Sequence, residues 1–205
     1  MAGCISTYSA RSRKWDILKF ILVFLVVLGH AAEFFKAKSD FMNSLLLLIY
    51  SFHMPLFIFI SGLFSRKTIN EKRYSKLAGY LAMFFALKIF EFSYKLLAGG
   101  NPSFRLLSEG GSPWFMFALV SFQLITMAVK NFSPKYILPF SIILACAAGY
   151  ASDIGDYLVL SRTIVFYPFF YAGYCLEPKQ VENFCKDKNK KIISLEKIPM
   201  LAYTY

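Results

Sequence analysis

The chain has 205 residues, 57% of them hydrophobic and 19% aromatic, with a mean hydropathy of +0.50; this balance excludes an ordinary soluble domain and points to a membrane protein. Its formal charge of +11 would suit nucleic acid, but the basic residues fall in short clusters between apolar runs, as they do in cytoplasmic loops, so no nucleic-acid partner is expected. The four cysteines, Cys4, Cys146, Cys175 and Cys185, form no CxxC pair and have no histidine at ligand spacing, so neither a disulfide framework nor a metal is expected.

Crossing a hydrocarbon core takes about 20 apolar residues. By that measure the predicted spans are Trp15 to Phe35, Leu45 to Phe64, Leu77 to Leu97, Trp114 to Val129, Tyr136 to Ala151 and Tyr157 to Leu176, the fourth and fifth being short. No alternating pattern of a barrel is present, so the expected fold class is all-α: a polytopic transmembrane helical bundle of about six spans. The first span follows Arg11, Arg13 and Lys14 but carries Lys19 in its first turns and has a poor cleavage signature around Gly29, His30 and Ala31. It reads as a retained signal anchor.

Loop charge gives the expected orientation. Basic residues gather before the first span, after the second (Arg66, Lys67, Lys72, Arg73, Lys76), after the fourth (Lys130, Lys135) and in the tail (Lys179, Lys186, Lys188, Lys190, Lys191, Lys197). In the other connections Lys36 and Lys38 are offset by Glu33 and Asp40, Arg105 by Glu109, and Asp153 and Asp156 stand without a basic neighbour. The positive-inside rule therefore puts both termini in the cytoplasm of a multi-pass protein of the cell membrane. Residues 1–14 read as a cytoplasmic segment, 15–176 as the transmembrane domain and 177–205 as a basic cytoplasmic tail. The stretch AGGNPSFRLLSEGGSP reads as an irregular outward-facing connection.

Several ionisable residues fall inside these spans. His30 lies about 20 Å along the first helix, in the outer half of the bilayer, where such a group is expected to face the bundle interior with a partner. Glu33, three residues on, shares its helical face and is placed to hold the imidazole in one tautomer. Catalysis and interhelical packing are equally served by this position. His53, on the second helix, is expected to approach His30, and the carbonyl freed by Pro55 offers it a structural partner. Ser61 and Gly62 suit a close helix contact. Asp16 and Lys19, one turn apart at the entry of the first helix, read as an interfacial ion pair or an anion-binding pair. Lys88, Glu91 and Lys95 lie within reach of one another on the third span, as a structural ladder or a relay. Arg162 cannot be neutralised inside the sixth span and needs a carboxylate, a carbonyl or a ligand phosphate, with Asp153 and Asp156 as candidate salt-bridge partners.

Taken together the motifs carry a resemblance. RKWDILKFILVFLVVLGH looks like the first-helix signature of the membrane-bound acyltransferase 3 family, in which a basic residue, Asp, Leu and Lys or Arg precede an apolar run ending in His. SFHMPLFIFISGLFSRK resembles the family's second-helix segment, PWFMFALVSFQL its tryptophan-led middle helix and SRTIVFYPFFYAGY its later Arg and Pro-Phe-Phe segment, the whole being most similar to the fucose 4-O-acetylase-like branch. The resemblance implies transfer of an acetyl group from acetyl-CoA to a hydroxyl of a cell-surface carbohydrate. It maps the family histidine onto His30, the helix-entry pair onto Asp16 and Lys19, the basic residue after the second helix onto Arg66 or Lys67, and the later arginine onto Arg162. His30, Glu33 and Arg162 are thus the expected catalytic residues; Asp16, Lys19, Arg66 and Lys67 face the donor; His53 and Trp114 face the acceptor. Glu33 rests on charge and depth alone. The bilayer, the carbohydrate and either a second copy or complementing helices are the expected partners.

The resemblance also implies more helices than this sequence contains, so an incomplete domain is expected. A truncated, inactive homologue or partner subunit is the first alternative. A small transporter is the second, motivated by Lys88, Glu91 and Arg162; no inverted repeat or pair of broken helices supports it.

Overall fold

A hydrocarbon interior offers backbone N–H and C=O groups no outside partner, so a spanning chain satisfies them within its own helices. The computed structural model describes residues 13–33, 39–99, 114–150 and 160–186, and among these the regular elements are all helical. They are α1 (Arg13–Glu33), α2 (Asp40–Leu63), α3 (Arg66–Asn70), α4 (Tyr74–Leu97), α5 (Trp114–Val129), α6 (Pro134–Tyr150) and α7 (Leu160–Cys175), followed by helical residues 178–186. The chain is an all-α membrane bundle, as expected.

Helices α1, α2 and α4, of 21, 24 and 24 residues, are long and apolar enough to cross a membrane. Helices α5, α6 and α7 have 16, 17 and 16 residues, which at 1.5 Å per residue gives about 24–26 Å, short of a core of about 30 Å. Where the predicted boundaries fall on described residues they hold closely, with two differences; those at Phe35, Ala151 and Tyr157 lie outside the described residues. Helix α2 begins at Asp40 rather than Leu45, its carboxylate in the first turn favourably placed against the helix dipole. The basic connection after α2 is not irregular: it forms α3, whose Thr68 and Ile69 are buried. The Gly-rich connection of residues 100–113, the acidic pair Asp153 and Asp156, and the tail beyond residue 186 lie outside the described residues.

Two compact units follow one another, Met1–Ile60 and Ser61–Tyr205. In the first, α1 buries a narrow stripe of Trp15, Leu22, Gly29 and Ala32, while Phe20, Phe24 and Val27 stay more than half exposed. A helix apolar all round, with only one stripe packed, is built to show its remaining faces to lipid. In α2 the buried stripe is Leu46, Ile49 and His53, so a histidine occupies a core position.

In the second unit α5 is central. Helices α3, α4 and α7 pack on it, and α6 packs along α7; Ala118, Phe122 and Thr126 are fully buried. Trp114 stacks on Phe166 with centroids 6.0 Å apart, Phe122 lies 5.2 Å from Phe170, and the Thr126 hydroxyl is 3.3 Å from that of Tyr167.

The end of α2 meets α7 at Gly62. A Cβ added there would strike the Phe170 carbonyl and sit 3.1 Å from the Tyr174 nitrogen. Only glycine admits this backbone approach, the reason small residues mark helix contacts in membranes. At Gly79 in α4, by contrast, an added Cβ meets nothing within 4 Å. Gly62→Ala is therefore expected to cost about 1–3 kcal/mol as an overpacked contact, whereas Gly79→Ala should be neutral or stabilising by up to about 1 kcal/mol. Thermal unfolding in detergent, comparing the two variants with the parent, checks this ranking.

Candidate functional site

Within the first unit the last turn of α1 and the middle of α2 assemble a polar cluster. Residues 30 and 33 are one turn apart on α1, and the His30 Nδ1 lies 3.5 Å from the Glu33 Oε2. The expectation of an interior His30 is corrected: its side chain is 54% exposed and that of Glu33 53%. The cause is local, since Gly29 and Ala32 occupy the buried stripe of α1 and turn residue 30 to its edge.

The Glu33 carboxylate also has the Tyr50 hydroxyl of α2 as an electrostatic neighbour. Tyr50 reaches it by lying against Gly29, its Cε1 2.9 Å from where a Cβ would stand. One turn further along α2, the His53 ring packs against Tyr50 with centroids 5.3 Å apart. His53 is 4% exposed, and its Nδ1 lies 2.6 Å from the Ile49 carbonyl oxygen. A carbonyl can only accept, so Nδ1 carries the proton and donates, leaving Nε2 as the basic nitrogen of the neutral ring. The carbonyl freed by Pro55 is that of Ser51; His53 takes Ile49 instead, one turn back along its own helix. Asp16 and Lys19 are part-buried at the opposite end of α1, about 20 Å from His30 along the helix.

The second unit holds the other candidates. Arg162 places its guanidinium carbon 5.2 Å from the Trp114 ring centroid, while Trp114 also stacks on Phe166 at 25°. A cation over an aromatic face is worth about 0.5–2 kcal/mol, more as it is desolvated. In α4, Lys88 and Glu91 turn toward the buried side, with side chains 9% and 24% exposed and 4.0 Å apart; Glu91 is also bridged to Lys95 at 2.6 Å. One acid between two bases lowers the cost of placing all three in an apolar helix.

Arg66 closes the end of α7. It donates to the Glu177 Oε1 at 2.8 Å and to the Cys175 carbonyl at 3.2 Å, while the Tyr174 hydroxyl donates to the Asn70 Oδ1 at 3.2 Å. A cation on the last carbonyls of a helix complements its dipole. This commits the guanidinium to the fold, whereas Lys67 is 60% exposed and only 4.0 Å from Glu71.

Sequence reasoning missed Tyr50, Glu177 and Asn70. A signal existed for Tyr50: it shares a face with His53, and Gly29 beside His30 marks a close approach. Nothing local ties Glu177 to Arg66, which are 111 residues apart.

The model of the acyltransferase 3 family, described as an acyltransferase domain, matches residues 13–195. The chain is 29% identical over 190 residues to nodulation protein NolL of Sinorhizobium fredii, a match covering 84% of this chain and 50% of that protein. It is 33% identical over 84 residues to nodulation protein NolL of Mesorhizobium japonicum, covering 40% of this chain and 22% of that one. The chain thus spans at most half the length of these curated relatives. No solved structure matches it.

The exposed ion pair at Arg66 is worth about 0–1 kcal/mol; removing the guanidinium also strips the cap from α7. Arg66→Ala should lower the unfolding midpoint in detergent more than Glu177→Gln does. Equal effects would assign the whole contribution to the ion pair.

Proposed function

The chain belongs to the acyltransferase 3 family, and from that premise we propose that it is a membrane O-acyltransferase that moves an acetyl group from acetyl-CoA to a hydroxyl of a cell-surface carbohydrate. The observation that carries this reading is the His30–Glu33 pair: an imidazole facing a carboxylate through Nδ1, with half of its side chain open. A carboxylate on that nitrogen favours the Nδ1–H tautomer and leaves Nε2 as a base. Contacts of this kind are commonly long before substrate binds.

In the proposed reaction Nε2 takes the proton of the acceptor hydroxyl as its oxygen attacks the thioester carbonyl. The tetrahedral intermediate collapses with cleavage of the carbon–sulfur bond, and the imidazolium returns the proton to the departing thiolate, giving the acetyl ester and coenzyme A. Glu33 stabilises the imidazolium by its charge. Passage of the acetyl group through an acyl-histidine is the covalent variant of the same chemistry. Arg162, steadied over Trp114, is assigned to negative charge on substrate or donor. Lys67, Asp16 and Lys19 are assigned to the donor side, and His53 to lining the acceptor side rather than to proton transfer. The resemblance to the fucose 4-O-acetylase-like branch supports a deoxyhexose as the acceptor of first choice.

We place both termini in the cytoplasm. The clustering of Arg66, Lys67, Lys72, Arg73 and Lys76 around α3, where α2 and α7 end together, supports this. The span of half the relatives' length favours a second reading, in which the chain works only beside complementing helices.

His30→Ala should abolish O-acetylation of surface glycans, read by mass spectrometry, at unchanged membrane levels; retained acetylation in that variant sinks the assignment. Acetylation restored only by supplying further helices would select the second reading. For orientation, a variant with Cys185 as its sole cysteine should react with an impermeant maleimide only after the cells are opened.

A further inference from the structure

Resting on the reading of His30 as a base, we propose that Tyr50 is a positioning residue that fixes Glu33 against His30. Glu33 sits in the last turn of α1 with its side chain half exposed, and by itself such a side chain is free to choose among several rotamers. Polar neighbours on two helices narrow that choice. His30 approaches one carboxylate oxygen at 3.5 Å, and the Tyr50 ring from α2 lies against Gly29, one turn before Glu33, with its hydroxyl 3.6 Å from where a Cβ on residue 29 would stand.

The packing shows why the tyrosine can reach. Its Cε1 stands 2.9 Å from the site of a Cβ on residue 29, and its Cζ and Oη stand 3.6 Å away. Any larger residue would displace the ring, so the glycine beside His30 opens the berth. Residues 29 and 33 lie one turn apart on the same face, which brings the hydroxyl level with the carboxylate. On α2 the ring is steadied by His53, itself tied to the Ile49 carbonyl. The sequence His53, Tyr50, Glu33, His30 thus runs from a buried ring to the half-exposed one, and each member restrains the next. A carboxylate that orients an imidazole and is itself held by a further donor is the arrangement by which outer groups set a histidine's tautomer.

The chain contains two histidines, His30 and His53, so selective 15N labelling of histidine in the full chain in detergent gives a spectrum with two rings to assign. Tyr50→Phe removes the hydroxyl and keeps the ring. It should move the His30 nitrogen shifts from the Nδ1–H tautomer toward the mixture of free histidine, leave those of His53 in place, and lower kcat by about 10–100-fold, the usual loss when an orienting partner is removed, at unchanged KM for acetyl-CoA. Gly29→Ala, which displaces the ring with its hydroxyl intact, should move the His30 shifts the same way. Unchanged His30 shifts in Tyr50→Phe, with Glu33→Gln moving them, would overturn the proposal. The spectrum reads the tautomer without turnover, so it decides the role of Tyr50 even if His30→Ala were to retain acetylation and the parent reading fell.

Discussion

An ionisable side chain inside a hydrocarbon layer is tolerated only with a partner, because water is not there to solvate it. That constraint runs through both units. Glu91 lies between Lys88 and Lys95 on α4, a ladder closed within one helix. Arg162 lies over Trp114. His53 turns back to the carbonyl of Ile49, and His30 faces Glu33. Most of these pairs join residues three or four apart, the only spacing at which a helix brings its own side chains together. Such a pair survives insertion before any tertiary contact forms. Pairs that cross between helices carry more information, because they exist only once the helices have docked.

Close docking depends on small residues at particular points. At Gly62 two backbones approach until no side chain fits between the end of α2 and α7, and Arg66, four residues later, then reaches the last carbonyls of α7. At Gly29 the absent side chain admits a tyrosine ring rather than a backbone. One glycine therefore fixes helix packing and the other gives a functional cluster its shape. Glycines with open surroundings, such as Gly79, do neither.

Fold class, the order of the apolar helices and most boundaries were legible in the sequence, because hydropathy and length are local properties and the bilayer enforces them. The His30–Glu33 pair and the Glu91 ladder were legible for the same reason, being fixed by helical periodicity. What could not be read was long-range. The partner of Arg66 is one such case: loop charge carries no information on partners, and Glu177 lies 111 residues away. α3 was hidden because a basic segment between spans reads as a loop, while its helix depends on burying Thr68 and Ile69. The exposure of His30 turned on which residues of α1 form the buried stripe, and in a helix apolar on all sides the hydrophobic pattern does not single out one face.

The two histidines show how environment divides roles between identical side chains. Both lie on apolar helices, and depth alone gave each a claim to chemistry. His53 is buried with Nδ1 engaged by a neutral carbonyl; charging it would place a cation in a site that offers no carboxylate to that nitrogen, at the full cost of desolvation. His30 has half of its side chain open and a carboxylate opposite Nδ1, so an imidazolium formed in the proposed proton transfer would meet a compensating charge. A base must be able to hold the proton it removes. By that criterion the proposed base is His30, while His53 packs against the tyrosine ring of α2.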